Sequence, residues 1–337
     1  MFRQIVMKKN VISVVGSTAT GKTEFALMLA KRVIEQNIIS GVILISADSR
    51  QVYQGLEILS GADIPTNFKK ANNSNDEFSF DYFQHQQLPL QIHGISIINP
   101  QDEWSVAHFV KLASRLINQA FFNNQLPIVV GGTGFYHQQL LKQESSLAIK
   151  PNQQIRKKAS QKTVDELRKW LKKLNPKRLV QMNNSDVNNP RRLIRAIEIE
   201  LEKKKNNNKN TSHVFFPFQI GIKSDLDLLE KKIAQRVENR LSTGAIEEVM
   251  GLLEINLPET SSIKTTTGFK PISQYLDNQL SLEETKKSWL TQELQYAKRQ
   301  ITWFKQHSPD RWIDGVNDDP NIEIQKIINE FINNSKN

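Results

Sequence analysis

The chain has no cysteine among its 337 residues. That absence excludes a disulfide scaffold, a thiolate metal site and a cysteine nucleophile, and it fits a reducing compartment. Nor is there an apolar run near the ~18 residues that a membrane helix needs. The first ten residues place Lys8 and Lys9 after their few apolar side chains, the reverse of a secretory leader. The expectation is a cytoplasmic protein that acts as a monomer and has no membrane partner. The six histidines, at 85, 93, 108, 137, 213 and 307, show no metal-ligand spacing. Acids are the minority charge, with 35 Asp and Glu against 45 Lys and Arg, a net charge of +10. Hydrophobic residues at 38% still suffice for a packed core, which excludes a disordered chain.

The positive charge is unevenly placed. Residues 1–150 carry 13 basic and 11 acidic side chains, whereas residues 151–215 carry 17 and 6. A basic block of net +11 beside a near-neutral half suggests a polyanionic partner, although a solvated lysine-rich helix face gives the same count.

Short β-branched runs at Val11–Val15, Gly41–Ser46 and Pro127–Gly131 read as buried strands. Between them, Glu24–Ile34 and Trp104–Ala120 carry apolar residues at helical spacing. Strands that are apolar throughout and alternate with helices predict an α/β fold, a P-loop NTPase-like parallel sheet with helices on both faces. Residues 66–90 have no clear period and read as an irregular insertion. The second half reads as helical, with Ser281-Leu-Glu-Glu284 a capping box that opens a helix reaching about Phe304. Lys203–Asn210 is a low-complexity polar loop. At ~150 residues per domain the length allows one large or two smaller domains. The expected division is an α/β core over 1–143, an inserted helical lobe over 144–188, and a return to the core with C-terminal helices over 189–337.

Three motifs carry chemistry. Gly16-Ser17-Thr18-Ala19-Thr20-Gly21-Lys22-Thr23 is a complete Walker A sequence between a predicted strand and a predicted helix. About one chain in a hundred of this length would carry the pattern by chance, before its context is counted. Its glycines let the loop curl so that the amides of residues 18–23 point at phosphate oxygens. The helix N-terminus adds positive potential, Lys22 neutralises a distal phosphate, and the Thr23 hydroxyl suits Mg2+. Such a loop does not say which phosphate ligand binds: ATP, GTP and an allylic diphosphate all qualify. The second motif, Ala47-Asp48-Ser49-Arg50-Gln51-Val52-Tyr53, puts a carboxylate just past a strand end, facing the same crevice. Spacing alone favours a helix N-cap or a Mg2+-organising acid for Asp48 over a catalytic base. The third, Gly131-Gly132-Thr133-Gly134-Phe135-Tyr136, is a tight turn whose small residues permit close approach of a substrate to Thr133.

With these motifs in order, the sequence resembles the tRNA dimethylallyltransferase (tRNA isopentenyltransferase) family. Further matching stretches are Trp104-Ser-Val-Ala-His-Phe109, Asn189-Pro-Arg191-Arg192-Leu193-Ile194-Arg195, Ile233-Ala-Gln-Arg236, Gly244-Ala-Ile-Glu-Glu-Val249, Gly268-Phe-Lys270 and Tyr296-Ala-Lys298-Arg299-Gln300-Ile-Thr-Trp303-Phe304. The resemblance covers about residues 11–305. It implies transfer of a dimethylallyl group from dimethylallyl diphosphate to the exocyclic N6 amine of the adenosine next to the anticodon, with release of diphosphate. It makes Asp48, Thr133 and Lys22 catalytic. Residues Gly16 to Thr23 with Arg236 become the diphosphate site, Thr23 the Mg2+ ligand, and the anticodon stem-loop the partner. The tRNA contacts it implies are Asp48, Ser49, Arg50, Gln51, Thr133, Arg156, Arg191, Arg192, Leu193, Ile194, Arg195, Lys298, Arg299, Gln300 and Trp303. The alternatives on the same fold are an adenylate isopentenyltransferase and a P-loop kinase or other ATP-binding enzyme. A tRNA-binding protein without catalysis is a further reading.

The chain also departs from the family pattern. Ser17 stands where proline is usual, and Gly61-Ala-Asp-Ile-Pro65 where Gly-Thr-Ala-Lys-Pro is common, so a lysine is missing at Ile64. Arg240 replaces a methionine, and Glu293 with Leu294 replaces Thr-Arg. The usual paired histidines are reduced to His93.

Overall fold

A computed structural model describes residues 10–72, 80–142, 145–203 and 215–334. The polar run from Lys204 onward, His213 and most of the Asn72–Asp76 stretch fall outside the described residues. The chain divides into two compact units. One holds Met1–Leu141 with Val214–Asn337, the other Lys142–His213.

In the larger unit the strands are β1 (Asn10–Gly16), β2 (Gly41–Ser46), β3 (Phe68–Ala71), β4 (Tyr82–His85), β5 (Leu90–His93), β6 (Gln125–Gly131), β7 (Phe216–Lys223) and β8 (Arg311–Asp314). They form one eight-stranded sheet in the order β3-β4-β5-β2-β6-β1-β7-β8. From β5 to β8 all pairings are parallel, as expected for strands buried on both faces. The edge differs from the sequence reading. Within the 66–90 stretch the described residues are not irregular: β3 and β4 pair antiparallel with each other, and β4 with β5, extending the sheet.

The alternation along each strand sorts residues onto two layers. On one face Ile12, Val14, Val42, Leu44, Ile128 and Val130 meet α1 (Lys22–Glu35), which is joined there by the C-terminal Ile324, Ile327 and Ile328. On the other face Val11, Ile43, Ile45 and Val129 meet the helix over Val106–Phe122 and the helix over Gly134–Lys142. A third cluster packs the Val52–Leu59 stretch, which contains α2 (Glu57–Ser60), against helices of the second half. Those helices span Leu226–Ser242, Ala245–Glu254, Phe269–Leu276 and Leu282–Gln306. The last opens on the expected capping box, in which Ser281 and Glu284 satisfy each other's backbone amides.

The smaller unit is helical, with its main helices over Gln153–Ala159, Val164–Leu174 and Pro190–Lys203. Its core brings Leu167 and Leu171 against Leu193, Ala196 and Ile197. The 144–188 boundary is therefore too short at its C-terminal end. The Pro190–Lys203 helix supplies Leu193, Ala196 and Ile197 to this unit's buried core and falls within the same compact unit. Glu198 lies buried at its centre and accepts bonds from Arg156 Nε at 2.8 Å, the Asn152 amide at 3.0 Å and Arg195 Nη1 at 3.2 Å.

Candidate active site

Three neighbouring parallel strands, β2, β6 and β1, end on the same side of the sheet. Each is followed by one of the three motifs, so the motifs meet although up to 120 residues separate them. Between them and the C-terminal helices lies a cavity of about 760 Å³. Its wall includes the loop residues Thr18 to Thr23, Asp48 to Gln51, and Arg236.

The loop has the shape its sequence requires. Gly21 sits at φ 85 immediately before α1, and Ala19 is left-handed at φ 60, a conformation that costs a non-glycine residue about 1 kcal/mol. The amides of Ala19, Thr20 and Gly21 make no intramolecular hydrogen bond among the described residues. Lys22 donates from Nζ to the Ser17 carbonyl at 3.0 Å. Its pKa is lowered to about 8 by burial and then by the Arg236 charge, against a smaller raising effect of Asp48. A cation held in that state takes up an anion readily. Thr18 departs from the expected role of its amide. The N–H already donates to Gln300 Oε1 at 2.8 Å, and the Thr18 hydroxyl accepts from Arg236 Nη1 at 2.8 Å. Arg236 is thus drawn onto the loop from across the cavity, a placement invisible in a helix-borne arginine read alone.

Asp48 serves in part as the cap that its spacing suggested. Its Oδ1 accepts from the Arg50 amide at 2.8 Å and the Gln51 amide at 3.4 Å. Its Oδ2 has no hydrogen-bond partner among the described residues. One oxygen therefore fixes the carboxylate, while the other is available on the cavity wall. Thr133 Oγ1 is buried next to the Tyr296 phenol. Tyr296, also on the wall, has its phenol pKa pushed up by burial and by the Asp48 charge, so it stays a neutral donor. The Thr23 hydroxyl lines the cavity from the first turn of α1.

Several expected tRNA contacts sit elsewhere. Gln300 is 6% exposed and bridges the loop to the third motif, accepting from Thr18 and donating to the Gly132 carbonyl at 3.0 Å. It is a brace, since both ends of its amide are used inside the protein. Leu193 is 0% exposed in the core of the helical unit, with Ile194 packed beside it. The helical spacing to Ala196 and Ile197 already carried that signal. Gln51 also spends both ends of its amide internally, on Ser46 and on the Gly61 carbonyl. Arg50 reaches Thr265 at 3.0 Å, while Ser49 and Arg299 lie on the cavity wall. Lys298 is exposed, and Trp303 stacks on His307 with centroids 4.2 Å apart. In the helical unit Arg191 is exposed, Arg192 pairs with Asp186, and Arg195 holds the Ser146 and Ile149 carbonyls. Sequence reasoning missed Arg240, Glu293 and Tyr296 as cavity residues. Arg240 follows Arg236 by four positions, one helical turn on the same face.

A parallel sheet with a glycine loop, a converging cation pair and a half-free carboxylate at its strand ends defines an α/β enzyme whose site suits an anion. The IPP transferase family model matches residues 83–307, and the chain belongs to that family, a family of transferases. It is 35% identical over 296 residues to tRNA dimethylallyltransferase 1 of Azobacteroides pseudotrichonymphae, covering 87% of this chain and 88% of that protein. To the tRNA dimethylallyltransferase of Anoxybacillus flavithermus it is 32% identical, covering 97% and 96%. The crystal structure of the full-length tRNA isopentenylpyrophosphate transferase from Bacillus halodurans superposes with a TM-score of 0.66 at 28% identity, covering 98% of each chain. A eukaryotic dimethylallyltransferase acting on tRNA shares the fold with a TM-score of 0.76 at 21% identity, covering 97% of this chain and 80% of that one. Among the described residues no helix is long and apolar enough to cross a membrane.

Proposed function

We propose that this chain transfers a dimethylallyl group from dimethylallyl diphosphate to the N6 amine of the adenosine 3′-adjacent to the anticodon in tRNA. The single observation that carries this reading is the opposition, in one cavity, of a cationic loop and the free Oδ2 of Asp48. Apolar side chains of Leu44, Ile92 and Ile95 on the same wall suit a prenyl group between them. The names carried by the relatives agree.

The N6 lone pair forms the new C–N bond as the allylic C–O bond breaks, and the bonding pair leaves with the diphosphate. Asp48 Oδ2 accepts the proton that the amine sheds, a role worth about 10²- to 10⁴-fold in rate. Lys22, Arg236 and the free amides of residues 19–21 hold the charge that develops on the leaving group. The Thr133 hydroxyl, buried next to the Tyr296 phenol, would lie near an adenine extruded from the anticodon loop. Thr23 would hold Mg2+, which supplies further charge neutralisation when bound. Its hydroxyl is a hard oxygen donor on the cavity wall. Among the described residues no cluster of three His, Cys, Asp or Glu exists, so the remaining ligands would be diphosphate oxygens and water. The basic side chains of the helical unit would meet tRNA phosphates.

The test is incubation with labelled dimethylallyl diphosphate and either unmodified tRNA or AMP, followed by nucleoside mass spectrometry. The reading expects a labelled isopentenyladenosine from tRNA alone. Label in AMP and none in tRNA would instead assign an adenylate isopentenyltransferase.

A further inference from the structure

Arg240 lies one helical turn beyond Arg236, is 6% exposed, and lines the same cavity. Its Nη1 donates to Glu293 Oε1 at 2.9 Å. That carboxylate oxygen also accepts from the Thr267 hydroxyl at 2.8 Å and from the Trp289 indole at 3.3 Å. Glu293 is therefore anchored from three sides and fixes the guanidinium plane. Two donor sites of Arg240 remain uncommitted. The buried Nε has no partner, and Nη2 makes no hydrogen bond among the described residues.

The position of Nη2 is set by Gly61. This residue has φ +66, and a Cβ placed there would overlap the Nη2 atoms of both Arg236 and Arg240. Two guanidiniums therefore close on one backbone point, made possible by the missing side chain. The buried Glu293 offsets them at hydrogen-bond distance, with the half-buried Glu248, engaged by the Ile58 and Leu59 amides, as a more remote charge. Asp63, 3.5 Å from Arg236, is 83% exposed and contributes little screening. Their mutual repulsion lowers the Arg240 pKa to about 10, after the larger effect of burial, so the group remains charged at neutral pH. Like charges fixed together on a cavity wall, with Nη2 unspent, are the arrangement that a polyanion relieves.

We infer that Arg240, oriented by Glu293, is a second guanidinium for the substrate's diphosphate and forms with Lys22 and Arg236 a three-cation site. The inference rests on the reading that the diphosphate of the prenyl donor occupies this cavity. Arg236 would bind the side next to the loop, where it already touches Thr18, and Arg240 the side next to Gly61. Glu293 is a positioning residue, since it acts through Arg240.

The experiment is calorimetric titration of the full-length protein with inorganic diphosphate and Mg2+, together with KM for dimethylallyl diphosphate and for tRNA. Arg240→Met should weaken diphosphate binding about 10- to 100-fold, the loss expected for a charge-assisted hydrogen bond, and raise KM for dimethylallyl diphosphate alike, with KM for tRNA unchanged. Arg240→Lys should recover part of the loss, because it restores the charge without the fork. Because Arg240→Met leaves Glu293 buried and unpaired, the double variant Arg240→Met/Glu293→Thr removes both charges and serves where the single one does not fold. It should show the same loss. Lys22→Met is the reference for the site itself. If Lys22→Met abolishes diphosphate binding while Arg240→Met and the double variant bind like wild type, Arg240 is structural and the inference fails while the proposed function stands. If the wild-type protein does not bind diphosphate, both fail.

Discussion

Gln300 offers the sharpest separation between a motif residue that touches tRNA and one that holds the machinery. Its side chain spans two motif turns, accepting from Thr18 in the glycine loop and donating to Gly132 beside Thr133. Replacing it with methionine keeps the volume and removes both bonds. The Thr18 amide and the Gly132 carbonyl are then left unpaired in a buried place, at about 1–3 kcal/mol each. The expected loss of stability is about 2–6 kcal/mol, visible as an earlier midpoint in urea unfolding. Gln300→Glu keeps the acceptor for Thr18 but sets a carboxylate against a carbonyl oxygen and beside the diphosphate cradle. Steady-state assays should show KM for dimethylallyl diphosphate raised in both variants, more in the glutamate, with kcat reduced because Thr133 and the loop lose their common brace. A surface tRNA contact would give the opposite pattern. Unchanged stability, unchanged KM for the prenyl donor and a raised KM for tRNA would refute the brace.

Other residues give equally direct expectations. Leu193→Ala should destabilise the protein by about 2–5 kcal/mol, read by chemical unfolding, because it empties a core position; a tRNA KM effect without lost stability would contradict this. His137 is buried against Ser13 at 2.6 Å and has its pKa lowered to about 4 by burial. The unfolded chain therefore binds the extra proton between about pH 6.5 and 4, and stability falls by up to about 3 kcal/mol as pH drops through that window. Urea titrations at pH 7 and 4.5 should show the drop, and a His137→Gln variant should show less of it. Arg191→Ala should reduce the slope of log tRNA affinity against log salt by up to about 1, as loss of one phosphate contact requires; an unchanged slope would remove Arg191 from the interface.

Much of this architecture could be read from the chain. Central strands such as Gly41–Ser46 are buried at every position, so unbroken β-branched runs identify them. The glycine loop, Asp48 and Thr133 each follow such a strand directly, and a parallel sheet gathers its strand ends on one side. The antiparallel edge was not legible. Tyr82–His85 is half-buried at all four positions and alternates in neither polarity nor burial. The four-residue strand Arg311–Asp314 is too short to carry a period. Within the matched motifs, individual side chains went astray where one helix presents two faces. Lys298 looks outward while Gln300 looks in, and Arg191 is exposed while Leu193 is core. The departures from the family pattern at Ile64, Arg240 and Glu293 look scattered in sequence, yet all three line one cavity.

The account turns on the Asp48 carboxylate facing the cationic loop across room enough for a base. Single-turnover transfer from labelled dimethylallyl diphosphate to saturating unmodified tRNA, compared between wild type and Asp48→Asn, tests it directly. Asparagine preserves the Oδ1 cap, so both substrates should still bind while the transfer rate falls about 10²- to 10⁴-fold. A transfer rate equal to that of wild type would contradict the account.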